Sequence, residues 1–193
     1  MWRSLRCHNT SNYIAAAYRG VKWTKKEKPL LDDLLAPKLD AVFCGSAVGA
    51  VSAARGAYYA GPGNKFWPIL HKVGLTSRRL VPGEYRDLLN FGLGLTDVEK
   101  QQSGSDISID FRRSDPAALK QKILKFSPRF LVFNGKKAAS VYFGRARVEY
   151  GLQSETVGAT KVFVAPSTSG AANGFWNEDH WLELAALVKR AAT

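Results

Sequence analysis

Along the chain, short runs of consecutive apolar residues alternate with longer stretches whose apolar residues recur at helical spacing. Asp40-Ala41-Val42-Phe43-Cys44 is one run and ends at Gly45. Phe130-Leu131-Val132-Phe133 is a second, stopping at Asn134-Gly135, and Lys161-Val162-Phe163-Val164-Ala165 is a third, stopping at Pro166. Runs of this length without polar alternation predict strands buried on both faces. Leu93 to Val98 fits a further short strand or the loop beside one. Ser114-Asp115-Pro116 reads as a cap with proline at the first helical position, and Ala117 to Phe126 continues it with apolar spacing. Lys136 to Phe143 is another helical segment. The last begins with Asn177 as cap, carries Glu178 and Asp179 where the dipole favours them, and ends near Lys189-Arg190. Its stripe is Trp181, Leu184, Ala185 and Val188. Strands alternating with helices predict an α/β fold with a parallel sheet covered on both sides. Ligands in such sheets bind beyond the carboxyl ends of the strands, where the loops after Cys44, Phe133 and Ala165 gather.

Composition narrows the class. Among 193 residues, 46% are hydrophobic and 23% charged, which is globular, and no apolar run approaches the length of a membrane span. Cys7 and Cys44 cannot build a disulfide framework, and no Cys/His cluster has metal-ligand spacing, so neither a metal nor a cofactor is expected. The basic N-terminus lacks the apolar core of a secretory signal. An intracellular protein, cytoplasmic or nucleoid-associated, with no membrane partner is the expectation.

The charge adds a partner. Lys plus Arg number 28 against 16 Asp plus Glu, a net of +12, which suits an anionic partner such as nucleic acid. No acid precedes Glu27, so residues 1–28 read as a basic extension and residues 29–193 as the folded domain. A second acid-free stretch, between Asp40 and Glu84, carries Arg55, Lys65, Lys72, Arg78 and Arg79. On charge alone, a phosphate-bearing partner and a solvated basic face weigh about equally.

Glycine-rich segments lie in the same stretch. Gly45-Ser46-Ala47-Val48-Gly49 comes directly after the first strand, so its backbone N–H groups are candidates to face an anion or a carbonyl; a plain tight turn is the alternative. A dinucleotide site needs an acid about 20 positions later, and none occurs before Glu84. In Gly61-Pro62-Gly63-Asn64-Lys65-Phe66-Trp67 the turn is rigid, Asn64 is placed to cap the residues after it, and Phe66-Trp67 anchor it. Tyr58 and Tyr59 offer flat rings to a base, or to the core. Pro166-Ser167-Thr168-Ser169-Gly170, after the last strand, offers small hydroxyls and free N–H groups to phosphate.

In this order the segments resemble those of the mismatch-specific uracil/thymine-DNA glycosylases of the uracil-DNA glycosylase superfamily. Phe43 to Gly49 stands where that family usually writes F-x-G-I-N-P-G. Tyr58 to Trp67 looks like its Y-x-G-P-G-N-x-F-W, Leu93 to Asp97 resembles its G-x-G-x-T, Phe133 to Lys136 its F-N-G-K, and Pro166 to Gly170 the P-S-S-S form of its second DNA-binding motif. The likeness runs from about Leu31 to the C-terminus. It implies a three-layer α/β/α sandwich around a central, mainly parallel short sheet, and an enzyme that flips a base out of DNA and hydrolyses its N-glycosidic bond. The resemblance assigns the base pocket to Gly45, Ser46, Ala47, Tyr59 and Asn134, with Tyr59 stacking on the base. It assigns DNA contact to Ser167, Thr168, Ser169, Gly170 and Ala171, the last at the position of a wedge residue. The implied partner is double-stranded DNA with uracil or a mismatched base, or single-stranded DNA, bound by a monomer without a cofactor.

The chain departs from that pattern where chemistry is expected. The family's water-positioning Asn falls on Ala47, and the next residue is Val48 instead of proline. Either activity is weak or absent, or another side chain has taken the role. Asp97 is the candidate, because a carboxylate there can activate water and stabilise a cationic sugar; binding a base edge or capping a turn are its alternatives. Asp106 and Asp110 are runners-up, in what reads as a helix-opening linker. Ser46 and Ser52 show no activating partner, and His71 and His180 read as surface or packing residues. Nothing in the pattern marks a lysine as buried, so a Schiff-base mechanism is not expected and the enzyme is predicted to be monofunctional.

Overall fold

The computed structural model describes residues 29–190. The basic extension at residues 1–28 lies outside that range, so its reading as a separate segment is not addressed by the fold. Five strands form one sheet: β1 (Ala41–Val48), β2 (Leu93–Ser103), β3 (Phe130–Asn134), β4 (Gly151–Val157) and β5 (Thr160–Ala165), in the order β2-β1-β3-β5-β4. All neighbours are parallel except β4, which pairs antiparallel with β5. The helices are α1 (Ala50–Arg55), α2 (Phe66–Lys72), α3 (Pro116–Phe126), α4 (Lys136–Phe143) and α5 (Asp179–Arg190), with 3-10 segments at Pro82–Phe91, Phe111–Arg113 and Gly170–Phe175.

The three apolar runs are the three central strands, and β3 is buried at all five positions. Residues alternate between two cores. Phe43, Leu95, Val132 and Phe163 point to a layer that holds α2, the Pro82–Phe91 segment and α5. Val42, Leu131, Phe133 and Val162 point to the opposite layer, with α3 and α4. The chain is therefore the expected three-layer α/β/α sandwich. Phe66 and Trp67 lie in the first core, as expected, and Phe66 packs edge-on to Phe43 and Trp67. Asn64 accepts from the Phe66 amide at 3.0 Å, fixing the turn that delivers them.

The helix caps agree with the sequence. Asp115 accepts from the Ala118 amide at 2.9 Å at the start of α3, and Asn177 accepts from that of Asp179 at 2.8 Å before α5. The α5 stripe of Trp181, Leu184, Ala185 and Val188 is buried. Trp181 Nε1 donates to the carbonyl of Pro166 at 3.2 Å, which ties α5 to the loop after β5.

Two features differ from the sequence reading. Gly45–Val48 is strand and not turn, because β2 runs on beside it: Gly45 pairs with Asp97 and Ala47 with Glu99. The ladder from β1 to β3 ends at Cys44↔Phe133, so beyond that point β1 has a partner on one side only among the described residues. β4 was not anticipated. Its residues alternate between buried and exposed, the mark of an edge strand, and Gly158 (φ +61°) begins the turn into β5.

Candidate active site

Strand order reverses direction at β1: the chain goes from β1 outward to β2, then returns to β3 on the other side. In open α/β sheets this switch point leaves a crevice at the carboxyl ends of the two diverging strands. Here the crevice is a cleft of about 590 Å³, within the range of small-ligand sites. All eleven residues singled out from the sequence border it: Asp97, then Gly45, Ser46, Ala47, Tyr59 and Asn134, then Ser167, Thr168, Ser169, Gly170 and Ala171. Positions 126 residues apart are thus brought to one crevice by the ends of β1, β2, β3 and β5.

One wall is formed by Asp97, Gly45 and Tyr59. The Asp97 side chain is 4% exposed, and its Oδ2 has no hydrogen-bond partner among the described residues. The nearest cation is the Lys100 ammonium, 3.7 Å from Oδ2. Burial pushes the Asp97 carboxyl up to about 6; Lys100 opposes that rise and the negative charge of Asp33 adds to it. Gly45 makes room for this carboxylate, since a Cβ there would collide with Asp97 Oδ1 and reach within 3.6 Å of the Tyr59 hydroxyl.

Tyr59 sits at φ +52°, a left-handed conformation that a bulky side chain adopts only under constraint. Its ring stacks on Phe66 with centroids 3.9 Å apart, so one face is taken and any stacked base must use the other. The Tyr59 hydroxyl is buried without a hydrogen-bond partner. Burial, together with the nearby Asp97 charge, pushes its ionisation well up, so the phenol stays neutral. Tyr58 is a core residue, 2% exposed, flanked by Tyr59 and Tyr85.

The opposite wall is held by hydrogen bonds. Asn134 Nδ2 donates to Thr168 Oγ1 at 2.8 Å, and the Thr168 amide donates to Asn134 Oδ1 at 2.9 Å. Asn134 therefore holds the 166–170 loop while keeping one N–H and one lone pair for a ligand. Thr168 is fully buried, so its hydroxyl serves Asn134, whereas Ser169 and Ala171 are exposed at the rim. Ser167 Oγ and Ser169 Oγ accept from the amides of Ser169 and Ala171, which shapes a tight loop at that rim. Lys136 and Lys137 add positive charge beside it.

Several residues stand differently from the sequence expectation. Ser46 does have a partner: its hydroxyl donates to Asp106 Oδ1 at 2.6 Å at the cleft edge. Asp110 is turned to Arg112, at 2.8 Å, and does not border the cleft. Ser52 Oγ accepts from the Ala60 amide, a structural bond. His71 approaches the Thr76 carbonyl and His180 the Glu183 carboxylate, both away from the cleft. A lysine is specially placed after all: Lys100 is half-buried beside Asp97. Asp33 and Asp97 overcome the effect of its burial and hold its ionisation above the ordinary lysine range. A charged ammonium that does not border the cleft is not a Schiff-base nucleophile. Ile107 (98% exposed) and Phe175 (79% exposed), apolar residues at the cleft, were not anticipated.

The site is thus a mainly parallel sheet opened at its switch point, with a buried carboxylate on one wall and a hydroxyl-rich loop on the other. The chain belongs to the uracil DNA glycosylase superfamily, whose family model matches residues 33–187. It also resembles a solution NMR structure of a "putative Uracil DNA glycosylase" from Methanosarcina acetivorans. That likeness has a TM-score of 0.58 at 23% identity and covers 84% of this chain and 97% of the other, a similarity of fold.

Proposed function

We propose that this chain is a monofunctional DNA glycosylase that hydrolyses the N-glycosidic bond of uracil, and of related deaminated bases, in mismatched DNA. Membership of the superfamily and the basic composition support DNA as the partner. The observation that carries the chemistry is Asp97: a buried carboxylate at the cleft wall, with one oxygen that accepts no hydrogen bond and an ionisation pushed up to about 6. A general base is most effective in that range, and an unpaired buried oxygen has lone pairs to offer an incoming donor.

In this reading the flipped nucleotide enters the cleft with its base against the free face of Tyr59. Asp97 accepts a hydrogen bond, then a proton, from the attacking water. The water oxygen bonds to C1′, the C1′–N bond breaks, and its electron pair leaves with the base, which is protonated on release. The negative charge of Asp97 also stabilises the cationic sugar that develops as the bond stretches. Ala47, a methyl group where the family places an amide, takes no part. Ser167, Ser169, Gly170 and Ala171 meet the DNA backbone at the rim. Ala171 is too short to wedge the duplex, so bases that already pair badly are the preferred substrates.

The test is single-turnover excision on duplexes holding G·U, A·U, G·T or G·hypoxanthine and on single-stranded uracil, with alkaline cleavage to reveal abasic sites. Wild type should release base from the mispaired substrates and Asp97→Asn should not, while both bind DNA. Excision undiminished in Asp97→Asn would remove Asp97 from the chemistry. A second reading is motivated by Ala47: a relative that binds mismatched or abasic DNA without cleaving. It predicts salt-sensitive binding and no free base on any substrate.

A further inference from the structure

The segment before β1 lies along the outer edge of β2. Leu34 and Leu95 exchange backbone hydrogen bonds at 2.9 Å in both directions, and the Leu30 amide donates to the Lys100 carbonyl at 3.0 Å. This brings Asp33, whose side chain is 6% exposed, against three donors. Lys100 Nζ lies 2.8 Å from its Oδ1, Lys122 Nζ 2.5 Å from its Oδ2, and Thr96 Oγ1 donates to it at 2.8 Å. Lys100 donates also to Tyr58 Oη at 3.0 Å, and on its remaining side it faces Asp97 at 3.7 Å. Its ammonium is thereby fixed between two buried carboxylates.

We infer that Lys100 is a positioning residue: held by Asp33 and Tyr58, it keeps the Asp97 carboxylate charged and aimed into the cleft. The inference rests on Asp97 being the group that activates water.

The charge arrangement around Asp97 supports it. β1 presents Cys44 and the loop before Gly61 presents Tyr58 and Tyr59; burial pushes the ionisation of all three well up, and they stay neutral. β3 presents the uncharged Asn134. The charges linked to Asp97 are then Lys100 on β2, Asp33 on the preceding segment and Lys122 on α3, while Glu99, a further buried acid on β2, accepts from the Gln101 amide and the Ser114 hydroxyl. Asp106, Lys136 and Lys137 stand at the rim of the cleft. Removing Lys100 leaves an excess negative charge, and Asp97 must then take up a proton at higher pH. Removing the charge of Asp33 takes a negative neighbour away from Asp97 and leaves Lys100 to it, so Asp97 must ionise at lower pH. Opposite signs from two adjacent substitutions are what a packing role alone does not produce.

Two readouts on the full chain test this. One is the pH dependence of single-turnover excision; the other is a carbon-13 titration of the Asp97 carboxyl, assigned by its loss in Asp97→Asn. Lys100→Met should move both midpoints up by about 1–3 pH units, the range for an opposite charge at this distance. Excision at pH 6 should then fall about fivefold for a shift of one unit and several hundredfold for three, with a smaller loss at pH 8.5. Asp33→Asn should move both midpoints down, and Lys100→Arg should restore the wild-type profile. An equal loss at every pH with unmoved midpoints would overturn the inference. Should Lys100→Met fail to fold, the direction of the Asp33→Asn shift decides, and an unmoved or upward midpoint overturns it. If Asp97→Asn excises like wild type, the assignment of the base fails, and the carboxyl titration alone judges the control exerted by Lys100.

Discussion

The two walls of the cleft are built on opposite terms. On the β3 and β5 side, Asn134 and Thr168 exchange two hydrogen bonds and Trp181 Nε1 caps the Pro166 carbonyl, so these buried polar groups have partners. On the β1 and β2 side, Asp97 Oδ2 and the Tyr59 hydroxyl are buried without hydrogen bonds, and Tyr59 is held in a left-handed conformation. A satisfied polar network fixes a shape, whereas unsatisfied groups store cost that a ligand can relieve. In the proposed reading the first wall supplies stability and the second the chemistry.

The largest effect that would break or sharpen this contrast is at Asp97. Asp97→Asn should lower excision by about 10²–10⁴-fold, the usual worth of a general base. The same change should stabilise the fold. The folded carboxyl binds its proton more tightly than the unfolded one, so stability declines as pH rises from 3.8 towards 6 and stays reduced above that. The deficit at pH 8 is about 3 kcal/mol, and thermal unfolding should show Asp97→Asn gaining up to that amount at pH 8 and much less at pH 4. A variant that is inactive and less stable at both pH values would point to structural damage.

Gly45→Ala is expected to cost about 10²-fold in excision by displacing the carboxylate. Melting temperature should respond far less, and equal losses in both would count against the contrast. Next in size is the pH response. Excision by wild type should fall about tenfold per unit as pH drops below the Asp97 midpoint near 6. A flat profile between pH 5 and 8 would leave Asp97 without a role as base.

On the bonded wall the balance should invert. Asn134→Ala is expected to destabilise by about 1–3 kcal/mol in denaturant unfolding, by leaving Thr168 buried and unpaired. Its excision of base should fall less than that of Gly45→Ala. The smallest change is Tyr59→Phe, which removes an unpartnered hydroxyl and should raise stability by up to about 1 kcal/mol. A loss of stability there would show that the hydroxyl is already bonded.

The inner fold was legible because β1, β3 and β5 must be apolar on both faces, and short unbroken apolar runs ending at Gly, Asn-Gly or Pro are the mark of buried parallel strands. β4 stayed hidden, since Gly151-Leu152-Gln153-Ser154-Glu155 resembles a polar loop when read without its partner strand. So did the continuation of β1 through Gly45–Val48, because a strand with small residues becomes recognisable only beside β2. The cleft residues were found through local motifs, each written within ten positions. Lys100 and Asp33 escaped because their meaning depends on a separation of 67 residues closing to 2.8 Å. Asn134 borders the cleft, but its pairing with Thr168 joins two motifs that no single segment contains. Ile107 and Phe175 belong to irregular segments whose exposure has no periodic signature.

The space beneath Gly45 also limits how this lineage can change. While the carboxylate stays at position 97, every side chain other than hydrogen at position 45 meets its oxygen. A larger residue on the strand therefore requires the carboxylate to turn away from its present place or to be given up. Positions 45 and 97 are thus coupled, so a change at either one is felt at the other.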